Sequence, residues 1–362
     1  MKNRNILFII DSLGIGGAEK VILTLADAFI KDGSNVNIIS CENRVEFEIQ
    51  STIKVDILGF KKSFFAYQKY SKKLHNKIVE IEEKKGKKFD LILVNLQKST
   101  RLMQEFKHKN LYHVIHNTLS QSAFKKRNKL QRFFKQKKLQ KIYNNLDIIT
   151  VSQGVEKDIV ERIQIKPKTI TTIYNPIDKV NIVRLSQEKN PFSKEDYIVH
   201  VGRFHEQKRH DILLNAYKQA DIKAKLILIG DGSKRTEIEK LIKELELEKS
   251  VILTGFIQNP YTIVKDAHFL VLSSDYEGFG NVLVEALMLN TPVISTDCPS
   301  GPNEILVNEL QDFLVPKNNI EALSLKIKLQ FNNLEKRKID IKYTNKFNIK
   351  QIIQHYKALI SE

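Results

Sequence analysis

The sequence predicts an α/β protein of two doubly wound domains, each a parallel sheet covered by helices. Three observations predict it. Short, nearly all-apolar runs alternate with longer amphipathic ones through the first half of the chain. The same alternation begins again after a polar stretch with two prolines at 174–196. The chain has 362 residues, more than one ordinary core accommodates.

Each element has its own reason. NILFII (5–10) is apolar at every position after Asn5, as a strand buried on both faces must nearly be. AEKVILTLADAFIKDG (18–33) reads as a helix stopped by Gly33. NVNIIS (35–40), DLILVN (90–95), YHVIHN (112–117) and DIITVS (147–152) supply further buried strands. The second series opens with strand YIVHVGR (197–203) and helix HDILLNAYKQA (210–220). KLILIGDG (225–232) is a strand running into a tight turn, SKRTEIEKLIKELELE (233–248) a charged helix and SVILTGF (250–256) a strand. AHFLVLSS (267–274), NVLVEALMLN (281–290) and TPVISTD (291–297) follow as strand, helix and strand, and NIKQIIQHYKALI (348–360) as an amphipathic helix. The expected boundaries are 1–175, a linker at 176–196, 197–340, and a C-terminal helix within 341–362 that crosses back to the first domain.

Composition narrows the class. Apolar residues make up 42% and charged residues 28%, a globular balance. Cys41 and Cys298 are the two cysteines, so no disulfide framework is expected and a reducing compartment is. No run approaches the ~20 apolar residues of a membrane-spanning helix. The N-terminal MKNRNILFII reads as a strand leading into a glycine loop, not as a secretion signal. The net charge of +17 is unevenly placed: residues 1–180 hold 34 Lys and Arg against 18 acids, and 181–362 hold 25 against 24. A basic first half favours an acidic partner, either anionic lipid or nucleic acid.

Ligands of open α/β sheets sit at the carboxyl ends of the strands, so chemistry is expected in the loops that follow them. DSLGIGGAEK (11–20) places Gly14, Gly16 and Gly17 before the first helix, where backbone N–H groups and the helix dipole meet a phosphate. Its spacing is not the dinucleotide fingerprint, and Glu42 is a poor ribose partner, which weighs against a nicotinamide dehydrogenase. His116 closes a strand in VIHNTLS (114–120), where it fits a substrate contact or a structural role. In VGRFHEQKRHD (201–211), Arg203 and Lys208 put two cations on one strand-to-helix turn, suited to a diphosphate leaving group. In YEGFGNVLVEA (276–286), Glu277 and Glu285 bracket a glycine turn at a helix start. Buried carboxylates need partners, and this pair suits the hydroxyls of a ribose or hexose. Two ordinary surface cations, a capping carboxylate and an exposed helical glutamate are the bland readings of the same residues.

Together these motifs are more specific. EGFGNVLVE is an E-x7-E motif. With GIGGAEK, VGRFHEQK, LILIGDGSKR and TPVISTD in that order along nearly the whole chain, the sequence closely resembles the retaining GT-B glycosyltransferases of family 4. The resemblance implies two Rossmann-like domains facing a central cleft. It implies transfer of a sugar from a nucleotide-sugar with retained anomeric configuration, with no metal and no cofactor. By motif, Arg203 and Lys208 would bind the donor diphosphate, Glu277 would contact the donor sugar and Glu285 the ribose hydroxyls. The backbone from Phe279 through Gly280 to Asn281 would meet sugar and phosphate. Gly16 and Gly17 would close over the donor, and His116 would contact the transferred sugar. Gly230 and the stretch from Gly255 to Ile257 would flank the base. The segment CPSGPNEIL (298–306) resembles a subset that builds bacterial surface polysaccharides, often from UDP-sugars, and Asn290 stands where glycine is common. The implied reaction moves a hexose or N-acetylhexosamine, expected from a UDP donor, to lipopolysaccharide core, O-antigen or capsule. A GDP-mannose-dependent mannosyltransferase is the alternative within the fold, and a sugar-nucleotide epimerase shares fold and donor.

The basic surplus gathers in two runs. FKKRNKLQRFFKQKKLQKIY (124–143) has nine cations and no acid, with Phe124, Leu130, Phe133, Phe134 and Leu139 at helical spacing. It reads as one basic amphipathic helix whose Lys125, Lys126, Arg127, Lys129, Arg132, Lys135, Lys137 and Lys138 meet an anionic membrane or a lipid-linked acceptor. A helix packed on its domain by the apolar stripe is the plain reading. Residues 61–88 hold ten basic residues and three acids. A nucleic-acid-binding protein would also be basic, but no recognised module is present, so no nucleic-acid partner is expected. The location expected is cytoplasmic, peripheral on the inner face of the plasma membrane.

Overall fold

The computed structural model describes residues 4–47, 49, 51–333 and 342–360. The chain divides into two compact units: one runs to Pro176 and takes in the segment from Ile349 onward, and the other is Ile177–Asn348.

The first unit is a seven-stranded parallel sheet ordered β3-β2-β1-β4-β5-β6-β7. Its strands are β1 (Asn5–Ile10), β2 (Asn35–Ser40), β3 (Lys54–Ile57), β4 (Leu91–Asn95), β5 (Leu111–Ile115), β6 (Asp147–Thr150) and β7 (Thr169–Thr172). The central strands are buried along their length, which their continuous apolar sequence requires. The short edge strands β3 and β7 escape the sequence reading. KVDI and TITT alternate polar with apolar residues and bury little.

The helices are α1 (Gly17–Lys31), α2 (Ala66–Lys85), α3 (Gln97–Met103), α4 (Leu119–Phe124), α5 (Lys129–Tyr143) and α6 (Gln153–Lys157), the last followed by a π-helical turn at Asp158–Arg162. Tyr70, Leu74 and Ile78 of α2 and Leu102 and Met103 of α3 share one core with Leu7, Ile9, Ile92 and Val94 of the sheet. The C-terminal helix Ile349–Ala358 packs on α1: Tyr356 lies edge-on to Phe29 at 6.4 Å, and Lys357 pairs with Asp32.

The second unit is a six-stranded parallel sheet ordered β10-β9-β8-β11-β12-β13. After α7 (Lys179–Leu185) come β8 (Tyr197–Val201), α8 (His210–Ala220), β9 (Lys225–Ile229), α9 (Arg235–Glu244), β10 (Val251–Gly255) and α10 (Tyr261–Asp266). Then follow β11 (Leu270–Leu272), α11 (Asn281–Met288), β12 (Val293–Asp297), α12 (Pro302–Ile305), β13 (Leu314–Pro316), α13 (Ile320–Asn332) and α14 (Lys342–Asn345). The order reverses between β8 and β11, which pair directly, so the loops after these two strands diverge from one point.

Two expectations change. Residues 177–196 are part of the second unit, not a linker between units. Asp178 caps α7 by accepting from the Asn181 N–H at 3.1 Å, and Asn190 donates to the Tyr197 hydroxyl at 2.9 Å. Polar side chains here satisfy local groups, which a search for apolar periodicity does not see. The run 124–143 is not one helix. α4 ends at Phe124, Lys126 adopts φ 56°, and Asn128 starts α5 through a reciprocal capping box with Gln131. The expected boundary at 340/341 lies outside the described residues. No described helix is long and apolar enough to cross a membrane.

Candidate functional site

The sheet reversal in the second unit brings the two charged loops together. Arg203 stands exposed just beyond the end of β8, and Lys208 ends a short 3-10 turn, Glu206–Lys208. From the other side, the loop after β11 supplies Glu277. The Lys208 ammonium donates to Glu277 Oε1 at 2.6 Å, with 16% and 9% of the two side chains exposed. The Ser274 hydroxyl donates to the same oxygen at 2.6 Å. Backbone lacing fixes the pair: Asp275 N–H donates to the Gln207 carbonyl, Gln207 Nε2 to the Tyr276 carbonyl, and the Ser273 hydroxyl to the Lys208 carbonyl. A nearly buried ion pair with this much support is a preorganised pair of opposite charges.

The glycine turn after Glu277 is held from below by the loop 298–301. Ser300 Oγ donates to the Glu277 carbonyl at 2.8 Å. Gly301 has φ 90°, and a Cβ there would lie 1.9 Å from the Phe279 carbonyl oxygen. That contact is backbone and cannot rotate away, so Gly301→Ala displaces the 277–281 turn. The expected outcome is a stability loss of about 1–3 kcal/mol and loss of any nucleotide-induced rise in melting temperature. Thermal unfolding with and without nucleotide checks both, and a wild-type response would refute it.

Gly280 caps α11 and Asn281 begins it. The Phe279 side chain is buried against Phe347, ring centroids 5.0 Å apart, so only its backbone is available to a ligand. Glu285, on the second turn of α11, is buried and accepts from the Tyr261 hydroxyl at 3.3 Å. Gly230 sits between the ends of β8 and β10, its N–H donating to the Gly255 carbonyl at 2.9 Å, and a Cβ there would lie 2.0 Å from the Gly202 carbonyl oxygen. Ile257, half-buried, follows two residues past β10.

Two histidines behind this loop pass unnoticed in the sequence. His200 Nδ1–H donates to the Val271 carbonyl at 2.8 Å, and its ring meets that of His210 edge-on at 4.8 Å. Burial first, then the Lys208 charge, holds His200 down to about 4, and His210 lies lower still. Both are neutral at pH 7.

In the first unit, Gly16 caps α1 in an extended conformation and Gly17 is its first residue. The loop before it is braced by Glu46, which accepts from the Ile15 N–H at 2.8 Å and is itself gripped by Arg44. His116 lies just past β5. Asn95 spends its amide nitrogen on the Leu93 carbonyl, so its oxygen accepts from His116 Nε2–H at 2.9 Å. His116 Nδ1 is thereby left as a buried acceptor with no partner among the described residues. Burial holds His116 at about 4, so it offers a lone pair rather than a charge.

His113, in the core of β5, is held at about 4 by burial as well. An imidazole whose folded pKa is depressed costs no stability above its unfolded value near 6.5. As pH falls from 6.5 toward 4, the unfolded chain binds protons that the folded chain refuses. Stability should therefore fall over that window by up to about 1.4 kcal/mol per pH unit for each such histidine, and the melting temperature with it. A flat profile by scanning calorimetry would contradict the buried, neutral assignment.

The basic run is partly structural. Arg127 Nη1 donates to the Ala123 carbonyl at 2.6 Å and closes α4, while Arg132 Nε donates to the Arg127 carbonyl at 2.8 Å. Lys126, Lys129, Lys137 and Lys138 are exposed, and Lys125 and Lys135 are half-buried. Burial and then the neighbouring Lys138 and Arg127 charges hold Lys135 below its usual range. The expected apolar stripe divides: Leu139 is in the core, Phe124 is half-buried, and Leu130, Phe133 and Phe134 are 65%, 50% and 63% exposed.

Ser274, Ser300 and Asn95 orient the predicted residues, and their hydroxyls and amide carried no sequence signal of their own. Tyr261 is 24 residues from Glu285, a pairing only the fold reveals.

Residues 182–347 match the family model for glycosyl transferases group 1, and residues 15–180 match glycosyltransferase family 4. The chain is 30% identical, over 90% of both lengths, to the Campylobacter jejuni N-acetylgalactosamine-N,N'-diacetylbacillosaminyl-diphospho-undecaprenol 4-alpha-N-acetylgalactosaminyltransferase. It is 30% identical to the Escherichia coli lipopolysaccharide 1,6-galactosyltransferase over 48% of each chain. Among solved structures, the Anabaena protein HepE in complex with UDP and glucose superposes with a TM-score of 0.77 at 20% identity, covering 98% of this chain and 99% of that one.

Proposed function

Because the chain belongs to the group 1 glycosyltransferases of the GT-B fold, we propose that it transfers a hexose or N-acetylhexosamine from a UDP-sugar, with retention and without a metal, to a lipid-linked or lipopolysaccharide-type surface glycan. The observation that carries this reading is the Lys208–Glu277 pair at the sheet reversal, with Arg203 beside it on the same loop. A diphosphate leaving group develops charge as the glycosidic bond breaks. Arg203 and Lys208 would neutralise it, and neither needs to exchange a proton to do so. Glu277, held by Lys208 and Ser274, would accept a hydroxyl of the donor sugar. Glu285 would accept the ribose hydroxyls, with Tyr261 fixing its carboxylate. The backbone from Phe279 to Asn281 would meet sugar and phosphate, and Gly230 and Ile257 would flank the base. From the first unit, Gly16 and Gly17 would meet the phosphates and His116 Nδ1 would accept a sugar hydroxyl.

The acceptor hydroxyl would attack on the face from which the nucleotide departs, and the departing phosphate oxygen would take its proton. No side chain then serves as a strong base, and the rate gain comes from positioning and charge. The names of the relatives support a membrane-linked acceptor. The exposed lysines and phenylalanines of α5 support a peripheral position on an anionic membrane.

The test is transfer from UDP-linked donors in the presence of a chelator, with the anomeric configuration of the product read by NMR, alongside thermal shifts with UDP, GDP, ADP and CMP. Retained configuration with chelator present and selective stabilisation by UDP are expected. A GDP response would move the donor to mannose, inversion would remove the proposed mechanism, and silence from all nucleotides would remove the donor assignment.

A further inference from the structure

Phe64 is 94% exposed and Phe65 68%, their rings edge-on at 4.8 Å and 83°. They form the tip of the loop between β3 and α2, and the base of that loop is firmly built. Phe60 packs on Tyr67 and Tyr70 at 5.4 and 4.9 Å, and its N–H donates to the Cys41 carbonyl. The Tyr70 hydroxyl donates to the Gly59 carbonyl at 2.9 Å, and Lys73 to the Leu58 carbonyl at 2.7 Å. Arg101 of α3 stacks on Tyr67 at 3.5 Å. The two rings are therefore held out from a rigid base.

The surroundings are strongly basic. No acid occurs from residue 57 to 79, while Lys61, Lys62, Lys69 and Lys72 are all exposed. α2 has no acid in its first turn and no side-chain cap. Cations at a helix N-terminus oppose the helix dipole, a cost that an external anion at this position would offset. α5, although capped by Asn128, shares the charge pattern: Lys129 and Arg132 in its first turns, no acid there, and an exposed aromatic pair, Phe133 and Phe134, at 5.8 Å.

The fold puts both features on one edge of the first unit. The loops after β3 and β5 both leave the carboxyl end of one parallel sheet. The crossovers from β3 to β4, β4 to β5 and β5 to β6 run in one direction along it, so right-handed connections place α2, α3 and α5 on the same face. α3 lies between, touching α2 through Tyr67 and α5 through Gln104, which donates to the Lys141 and Ile142 carbonyls.

We propose that Phe64 and Phe65 are a second membrane-insertion point, so that the first unit docks on an anionic bilayer through two aromatic-basic tips, one before α2 and one at the start of α5. This rests on the membrane position proposed above. The near-perpendicular rings offer no flat platform for stacking nucleobases, whereas an apolar phase beneath a layer of anionic headgroups accommodates the rings and the flanking lysines together.

The chain contains no tryptophan, so a single substitution gives a site-specific probe. The full-length Phe65→Trp and Phe134→Trp variants are mixed with phosphatidylglycerol-rich vesicles carrying brominated acyl chains. The expected result is a blue shift and quenching for both, and neither with pure phosphatidylcholine. Quenching of the Phe134→Trp variant alone overturns the second insertion point and leaves the α5 reading intact. Quenching of neither defeats the membrane position itself. In the Phe64→Ser/Phe65→Ser protein, vesicle partition should fall about tenfold or more while turnover on a lipid-free acceptor is unchanged. Unaltered partition would overturn the proposal, as would quenching of the Phe65→Trp variant by single-stranded DNA in place of vesicles.

Discussion

Replacing Lys208 with alanine should lower turnover roughly 10²–10³-fold, the range seen when a preorganised group facing developing charge is removed. Two effects combine. The diphosphate loses one of its two proposed cations, and Glu277, 9% exposed, loses the ammonium that pairs with its carboxylate while keeping the Ser274 hydroxyl. Breaking a buried pair by removing one partner costs about 3 kcal/mol or more of stability, because the remaining charge is left uncompensated. The two effects separate in a double variant. Lys208→Met with Glu277→Gln removes both charges, and its melting temperature should return toward that of the wild type while turnover stays low. If the single variant kept wild-type turnover, Lys208 would be a structural partner of Glu277 and no more. If the double variant recovered activity, the charge pair would have no part in the chemistry. Arg203, exposed and on the same loop, serves as a comparison. Arg203→Ala should cost turnover with little stability, because the side chain is exposed to solvent.

The fold was legible because its interior strands are almost continuously apolar. NILFII and KLILI admit few structures other than a strand covered on both faces, and the restart at residue 197 announces a second sheet. What escaped was the periphery. β3, β7 and β13 are three or four residues long; KVDI and TITT carry polar residues on partly exposed faces where a buried strand would be apolar, and LVP is too short to show a pattern. The basic run was misread for a different reason. Nine cations and helical spacing fit one helix, but Asn128 and Gln131 form a capping box that starts a new one in the middle of it. The capping signal was present in the sequence, and the charge pattern overshadowed it.

The site divides along the same line. Residues whose chemistry announces itself, such as paired carboxylates and strand-end cations, could be found by type and spacing. Residues that act by orienting others could not. Asn95 is one more polar residue at a strand end until its oxygen is seen to accept from His116 Nε2–H, which leaves Nδ1 as the acceptor. Ser300 and Gly301 look like part of a turn, yet they support the backbone of Glu277 and Phe279. Such roles depend on contacts between residues far apart in sequence, which no local pattern encodes.

Glu285→Ala should weaken donor binding about 30- to 100-fold, seen as a rise in donor KM with a smaller change in kcat, since it removes hydrogen bonds to a charged acceptor that ground and transition states share. The discriminating measurement is the response to 2'- and 3'-deoxyribose donors. A carboxylate that accepts from the ribose makes the wild type reject a deoxy donor, because a buried acceptor is then left unpaired. In Glu285→Ala the deoxy and ordinary donors should become equivalent. Tyr261→Phe tests the geometry behind this. Its hydroxyl donates to Glu285 Oε1 at 3.3 Å and so restrains the carboxylate. Without it the carboxylate loses one restraint, so discrimination should narrow only partly, with donor KM raised several-fold and kcat nearly unchanged. A merely structural role for Tyr261 would lower stability without touching the ratio between deoxy and ordinary donors. Equal rejection of the deoxy donor by the wild type and by Glu285→Ala would move the ribose contact to another residue and leave Glu285 as a buried carboxylate held for the fold.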